Sequence, residues 1–163
     1  MIIYYIETIK YLYHINNPVQ MDKISSYDVW REFLRTWKTW YKASEKNLMS
    51  MGVSTVEYRI LKNLTERGAL PMIELANINM VTQGWITGVI DKLEQLSYVM
   101  RERSNTDRRV INITATPKGK AFFKTIESSH LKFIDDTLKN FSYEERYNIL
   151  NFLKKIETNV ESK

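Results

Sequence analysis

Cysteine is absent from the 163-residue sequence, and histidine, proline and glycine are scarce, with two, three and five residues. Without cysteine the chain cannot form disulfides or offer a thiolate to a metal. His14 and His130 lie far apart on predicted helices and lack the spacing of metal ligands, so both are interpreted as structural or surface residues. Neither a glycine-rich phosphate loop nor a nucleophile elbow is present. We therefore expect no enzymatic activity, no metal site and no cofactor.

An apolar run long enough to span a bilayer is also missing, because the apolar stretch at residues 2–15 is short and contains Glu7, Lys10 and His14. No small-residue cleavage site of a signal peptide follows it. The spacing of its apolar residues predicts an amphipathic helix in an N-terminal extension, residues 1–17. Its polar side is poor in lysine and arginine, so we expect it to pack on the protein or on a second copy rather than on a membrane. The sequence therefore predicts a cytoplasmic protein without a membrane partner.

Basic residues exceed acidic ones in the whole chain but not in its central stretch. The formal net charge is +5, which fits a polyanionic partner. Residues 72–114, however, contain five basic and five acidic residues: Lys92, Arg101, Arg103, Arg108 and Arg109 against Glu74, Asp91, Glu94, Glu102 and Asp107. Net charge alone therefore does not support nucleic-acid binding by this stretch. The chain length suits one domain, or one subunit that is completed by a copy of itself.

The central stretch begins with two predicted helices. A short apolar helix at residues 72–78 precedes Thr82, whose hydroxyl can cap a second helix. The second helix has an apolar stripe at helical spacing, made of Ile86, Val89, Ile90, Leu93 and Leu96. Its opposite face carries Gln83, Gly84, Thr87, Gly88, Asp91 and Lys92. Because glycine costs roughly 1 kcal/mol relative to alanine inside a helix, the two glycines suggest close approach of another molecule.

A hairpin is predicted after the second helix, because the period changes to two. Residues 98–103 and 110–114 read as strands joined by a polar turn. Helix, short turn, helix and hairpin form the winged variant of the helix-turn-helix unit, whose second helix enters a DNA major groove. The sequence thus predicts a mainly α protein with a small β-hairpin wing (α+β) and a DNA-binding domain at residues 54–116.

Two motifs make the resemblance to a family specific. Residues 107–109 (Asp-Arg-Arg), followed after six residues by residues 116–119 (Thr-Pro-Lys-Gly), resemble the wing signature of MarR-family winged-helix transcriptional regulators. Residues 81–87 and 91–96 are similar to that family's recognition helix. The resemblance covers roughly residues 27–158. It implies a dimeric, sequence-specific regulator of double-stranded DNA, expected to be a repressor. The missing cysteines exclude the thiol-based peroxide sensing that some MarR-like proteins use.

The recognition helix supplies the first set of predicted DNA contacts. Gln83 can make a bidentate contact to adenine, and Thr87 can touch a thymine methyl or a phosphate. Trp85 departs from the small residue that the family commonly has there, and either packs on the preceding helix or lies on the DNA. Ser97 likewise stands where the family usually has a helix-ending glycine. The predicted contacts on this helix are Thr82, Gln83, Gly84, Trp85, Thr87, Gly88 and Lys92.

The wing supplies the second set of predicted DNA contacts. Arg109 is predicted to insert into a minor groove, where narrow A·T-rich segments concentrate negative potential. The family pattern implies that Asp107 holds this arginine in place, while Arg103 and Arg108 are assigned to phosphates. The plainer alternative is a solvated hairpin with an incidental ion pair. At the level of the whole protein, the alternatives are a winged-helix protein–protein interaction module and an architectural DNA binder without sequence preference.

Long helices are predicted on both sides of the winged domain, at residues 25–50 and 117–161. The first carries an aromatic stripe, which is interpreted mainly as core. The resemblance also suggests a pocket for a small aromatic effector, with Trp30, Phe33, Trp37 and Tyr41 as candidates. Neither region has enough partners in its own subunit, so we expect a symmetric dimer built from both ends of the chain. Such a dimer would place two winged domains about 34 Å apart on a pseudo-palindromic operator.

Overall fold

The computed structural model describes residues 24–103, 107 and 110–162. The predicted N-terminal helix at residues 1–17 lies outside the described residues, as do Arg108 and Arg109. The elements are, in chain order, α1 (Ser26–Ser50), α2 (Thr55–Arg67), β1 (Leu70–Pro71), α3 (Met72–Ile78), α4 (Gln83–Gln95), β2 (Val99–Arg103), β3 (Ile111–Ala115), α5 (Pro117–Leu138) and α6 (Tyr143–Glu161). The predicted fold class, mainly α with a small antiparallel sheet, is confirmed.

The chain divides into two compact units, residues 1–42 and residues 43–163. The first unit contains most of α1, and the second contains the end of α1 and all later elements. Within the described residues, no helix combines the length and the apolar character needed to cross a bilayer.

Helix starts follow the signals in the sequence. Ser54 and Glu57 form a capping box at the start of α2, with Ser54 N donating to Glu57 Oε2 at 2.7 Å and Glu57 N donating to Ser54 Oγ at 3.2 Å. Ser142 and Glu145 repeat this arrangement at the start of α6. Each box satisfies two backbone donors that the first helical turn leaves without partners.

One hydrophobic core in the second unit supports the helix-turn-helix. Fully buried residues of α2, α3 and α4 meet the sheet and α5 there, among them Ile60, Leu64, Leu75, Ile86, Ile90, Leu93, Ile113 and Phe123. The predicted apolar stripe of α4 is thus buried through Leu93. Leu96 is 43% exposed, contrary to prediction. It is the C-cap residue of α4 and still has helical backbone angles, and the chain leaves the helical path at the next residue, Ser97, whose φ is 60°.

The wing belongs to a three-stranded sheet rather than to the predicted two-stranded ribbon. The strand order is β1-β3-β2, and β1 pairs Leu70 with Ile113 and Pro71 with Asn112. Two residues are too few to show a strand period, so this strand leaves no signal in the sequence. Pro71 directly precedes α3. Its position in β1 suits an edge strand, because proline lacks a backbone donor.

The junction between α4, β2 and α5 explains the motif at residues 116–119. Thr116 Oγ1 accepts from Gly119 N at 3.0 Å and donates to Ser97 O at 2.7 Å. A Cβ atom on Gly119 would lie 2.0 Å from the carbonyl oxygen of Tyr98, so only glycine fits. Ser97 has a φ of 60°, the left-handed conformation for which glycine is the usual choice. Ser97 therefore adopts the backbone conformation that glycine usually provides at this kind of position.

The helices at the two ends of the described chain expose much of their apolar surface. In α6 no residue is buried, although it carries Tyr147, Leu150, Phe152, Leu153 and Ile156. In the first unit, the aromatic residues of α1 from Tyr27 to Tyr41 are between 37% and 69% exposed. In a single chain this stripe is therefore exposed, and its interpretation as core stays a prediction that requires a second surface to cover the aromatic face.

His130 is a structural residue, as predicted. It is 6% exposed on α5. Its ring nitrogens lie 2.8 Å from Asn47 Oδ1 and 3.3 Å from Ser44 Oγ, both at the end of α1. Burial lowers the pKa of His130 below its usual 6.5.

Candidate nucleic-acid interface

The first half of the exposed face of α4, the second helix of the helix-turn-helix, contains no charged residue, whereas Asp91 and Lys92 follow in the second half. Thr82 caps the helix as predicted, since its hydroxyl oxygen accepts from Trp85 N at 3.3 Å. Ile86 and Ile90 on the inner face of α4 are fully buried, so the opposite face of the helix points to solvent. Gln83, Gly84, Thr87 and Gly88 are all exposed there. The predicted orientation of the helix is therefore confirmed, while contact of these residues with DNA stays a prediction.

The two glycines of α4 have no structural role inside the protein. A Cβ atom added to Gly84 or to Gly88 would meet nothing within 4 Å. Glycine in a helix costs roughly 1 kcal/mol relative to alanine, and packing among the described residues requires neither glycine, so a reason for both is to be sought outside the subunit. A partner that approaches the helix backbone closely is such a reason.

Trp85, for which the sequence left two readings, is 48% exposed. The indole is not enclosed by the preceding helix, so a large part of it can meet a partner. Thr87 satisfies its hydroxyl hydrogen internally by donating to Gln83 O at 2.8 Å. The hydroxyl oxygen remains able to accept a further hydrogen bond.

Lys92, predicted as a DNA contact, forms an ion pair inside the protein. Its Nζ lies 2.6 Å from Glu57 Oε1 on α2, and the Glu57 side chain is only 5% exposed. Burial raises the pKa of Glu57, but the hydrogen bonds from Lys92 and Ser54 outweigh burial and hold the pKa below its usual value. Lys92 therefore neutralises a buried carboxylate. The capping box marked Glu57 in the sequence, but nothing there indicated its burial.

Arg101 forms a second link to α4. The guanidinium group pairs with Asp91 and with Glu94, both on the C-terminal half of the helix. Because Arg101 belongs to β2, this contact joins the wing to the recognition helix. Sequence reasoning missed the contact, since the partners are seven and ten residues away and no local spacing marks them.

The described part of the wing ends in exposed polar residues. Arg103, at the end of β2, is exposed, and so is Asp107. The carbonyl oxygen of Asp107 accepts from Val110 N at 2.9 Å, which closes the turn on the β3 side. Because Arg108 and Arg109 lie outside the described residues, insertion of Arg109 into a minor groove and its support by Asp107 stay predictions.

The candidate effector residues form two stacked pairs on α1. Trp30 and Phe33 have ring centroids 6.2 Å apart, and Trp37 and Tyr41 have theirs 5.4 Å apart. All four side chains are exposed in the single chain. A separate depression of about 280 Å³, which sequence reasoning did not indicate, lies in the second unit and is lined by Met51, Gly52, Val53, Glu57, Lys92, Leu93, Leu96, Tyr98 and Phe122. The described residues contain no cluster of side chains suited to a metal ion.

Comparisons with known proteins agree on one family. Residues 53–111 match the model of the MarR family. The HTH-type transcriptional regulator MhqR of Bacillus subtilis is 31% identical over 115 residues, which cover 71% of this chain and 79% of that protein. The crystal structure of the transcriptional regulator BldR from Sulfolobus solfataricus superposes with a TM-score of 0.69 at 28% identity, covering 83% of this chain and 99% of BldR. A mutant MarR from E. coli complexed with operator DNA shares the fold, with a TM-score of 0.67 at 18% identity and coverage of 77% and 91%.

Proposed function

The chain belongs to the MarR family of transcriptional regulators, and from this membership we propose that it is a homodimeric repressor that binds double-stranded DNA sequence-specifically. The observation that carries the proposal is the exposed face of the first half of α4, which contains no charged residue and lies above fully buried isoleucines. A face of this kind suits hydrogen bonding to base edges better than general attraction to phosphate. The protein would act in the cytoplasm and catalyse no reaction.

Base reading is assigned to the first half of α4. The Gln83 amide can donate to N7 and accept from N6 of adenine, and Thr87 can contact a thymine methyl or a phosphate. Gly84 and Gly88 would let the helix backbone approach the groove, which agrees with the open space around both residues. Thr82 and Trp85 would contact the sugar-phosphate backbone beside these bases.

Phosphate attraction is assigned chiefly to the wing. Arg103 is exposed at the end of β2, and Arg108 is proposed to contact phosphates beside it. Arg109 is proposed to enter the minor groove with support from Asp107. Lys92 is the weakest member of the predicted set, because DNA would compete with the buried carboxylate of Glu57 for its amine.

Dimerisation is proposed because both ends of the described chain expose apolar faces. A helix with an exposed apolar stripe is stable when a second surface covers that stripe. A two-fold dimer would bind half-sites about one helical turn apart, on a pseudo-palindromic operator. Light scattering at micromolar concentration should give twice the 19.4 kDa mass of the chain, and a monomer would contradict this part of the proposal.

A small aromatic ligand is proposed to relieve repression by binding at Trp30, Phe33, Trp37 and Tyr41. The support is two exposed stacked ring pairs, which can accept a further flat ring. Salicylate-like acids should quench tryptophan fluorescence in a Trp85→Phe background, which removes the signal of the recognition helix. A Trp37→Leu variant is the matched control and should lose much of the response. A flat titration in the Trp85→Phe background would contradict the proposal.

A protein-interaction module is the second candidate function. It is favoured by the exposure of Ile73, Met80 and Trp85, which are 54%, 92% and 48% exposed in the helix-turn-helix. Selection of bound sites from a random DNA pool distinguishes the two functions. The DNA-binding proposal predicts enriched pseudo-palindromes with half-sites roughly 10 base pairs apart. Absence of any enriched sequence would contradict it and favour the interaction module.

A further inference from the structure

We propose that Arg101 is a positioning residue for DNA recognition, one that sets the orientation of α4 and does not contact DNA itself. The inference rests on the proposed function, because it assigns a role in operator binding. A basic residue in the wing of a DNA-binding protein would ordinarily be assigned to phosphate. The contacts of this arginine point to a different role.

Both edges of the Arg101 guanidinium group are occupied within the protein. Its Nη2 donates to Asp91 Oδ1 at 2.5 Å, and its Nη1 donates to Glu94 Oε2. The two acceptors lie three residues apart on α4 and so occupy neighbouring positions on its surface. A planar guanidinium fork can hold two carboxylates in fixed directions, whereas an ammonium group cannot. The contact therefore fixes an orientation as well as a distance.

The local charge also disfavours phosphate at Arg101. One cation faces two carboxylates, so this part of the surface carries a net charge of −1, and a phosphate would be repelled by Asp91 and Glu94. The Arg101 side chain is 25% exposed, against 49% and 40% for its partners. A phosphate would thus meet the acidic groups before the arginine.

The contact of Arg101 with Asp91 and Glu94 lies close enough to the proposed base contacts on α4 to affect base reading. Asp91 is four residues, or about 6 Å, beyond Thr87 along the helix axis. The proposed base contacts lie in the first half of α4, and the ion pair holds the second half against β2. Lys92 holds the same half against α2 through Glu57. Three ion pairs to two different elements thereby restrict rotation and tilt of the helix that carries Gln83 and Thr87.

Arg103 is the matched control on the same strand. Two residues apart on β2, Arg101 and Arg103 point to the same face of the sheet. Arg103 is exposed, and no ion pair between described residues involves it. The two arginines thus share strand, face and charge, whereas only Arg101 is paired with α4.

The test compares two variants by fluorescence anisotropy, using the full-length protein, its selected operator and a scrambled duplex over a range of salt concentrations. The first is Asp91→Asn with Glu94→Gln, which removes both partners of Arg101 and leaves the arginine in place. We expect operator affinity to fall about tenfold, the size of losing one good base contact, with an unchanged salt slope. Arg103→Gln should instead weaken binding to both duplexes equally and reduce the salt slope by about 0.9 per bound subunit.

An increase in operator affinity in the double variant would overturn the proposal. Removing two negative charges should strengthen binding on electrostatic grounds alone, so a tighter complex with a steeper salt slope would show that freed Arg101 contacts phosphate. Arg101→Gln gives a second readout, and a fall in its salt slope equal to that of Arg103→Gln would also overturn the assignment. Where the double variant does not fold, the single variants carry the same expected sign. If the wild-type protein prefers no sequence, the proposed function itself is wrong. If the wild type binds its operator specifically and the double variant binds more tightly, only the role of Arg101 is wrong.

Discussion

Replacing Gly119 with alanine should destabilise the protein through a clash with backbone atoms. The new Cβ atom would lie 2.0 Å from Tyr98 O and 2.8 Å from Tyr98 C, whereas ordinary contact begins at 3.4 Å. Relief therefore requires a shift of roughly 1.4 Å, the difference between 3.4 and 2.0 Å, at the start of α5. That shift would disturb the hydrogen bond from Thr116 N to Tyr98 O and the stacking of Tyr98 on Phe122, whose centroids are 4.2 Å apart.

The magnitude follows from opposing effects. Overpacking costs about 1–3 kcal/mol, and loss of the Thr116 cap costs about 1 kcal/mol more. The higher helix propensity of alanine increases the free energy of unfolding by at most about 1 kcal/mol. The net loss is about 1–3 kcal/mol, which corresponds to a fall in Tm of about 2–12 °C for a chain of this length.

Thermal unfolding followed by circular dichroism measures this loss, and Gly88→Ala provides the matched control. A Cβ atom on Gly88 meets nothing within 4 Å, so the same substitution should raise stability by about 0.5–1 kcal/mol. The two variants are thus expected to shift Tm in opposite directions. A Gly119→Ala protein that melts at or above the wild-type temperature would refute the reasoning about this junction.

Three further predictions concern DNA contacts and pH. Arg109→Ala should weaken operator binding severely in a gel shift while the circular dichroism spectrum is unchanged, and wild-type affinity would contradict the wing assignment. Gln83→Ala should relax sequence preference at one symmetric pair of operator positions, and uniform weakening on all sequences would argue against base reading by Gln83. Because burial lowers the pKa of His130, the folded state binds fewer protons than the unfolded state. The free energy of unfolding should therefore be at its full value above about pH 6.5 and should fall as the pH drops below that value. Urea unfolding midpoints at pH 7.5 and 5.5 should differ less in His130→Gln than in the wild type. Equal differences in the two proteins would show that His130 does not cause the loss of stability at low pH.

Local signals in the sequence predicted most of the fold. Helix starts at Ser54, Thr82 and Ser142 follow from side chains that bond to the backbone within three residues. The outward face of α4 follows from the spacing of Ile86, Ile90 and Leu93. These features depend on neighbours in the chain, so one sequence suffices to place them.

Features that depend on distant partners were beyond sequence reasoning. β1 has two residues and exists because β3 pairs with it. Lys92 and Arg101 were indistinguishable from free surface cations in the sequence, and only the fold brings Glu57, Asp91 and Glu94 to them. The aromatic stripe of α1 has the spacing of a core helix, but spacing does not say which surface covers it.

The central claim, that a neutral face of α4 reads base sequence, is tested most directly by the affinity ratio between a selected operator and a scrambled duplex of equal length at one salt concentration. We expect a ratio of about 10³ or more, which is typical of specific binding. A ratio near one would mean that phosphate attraction accounts for all binding and that α4 does not read base sequence.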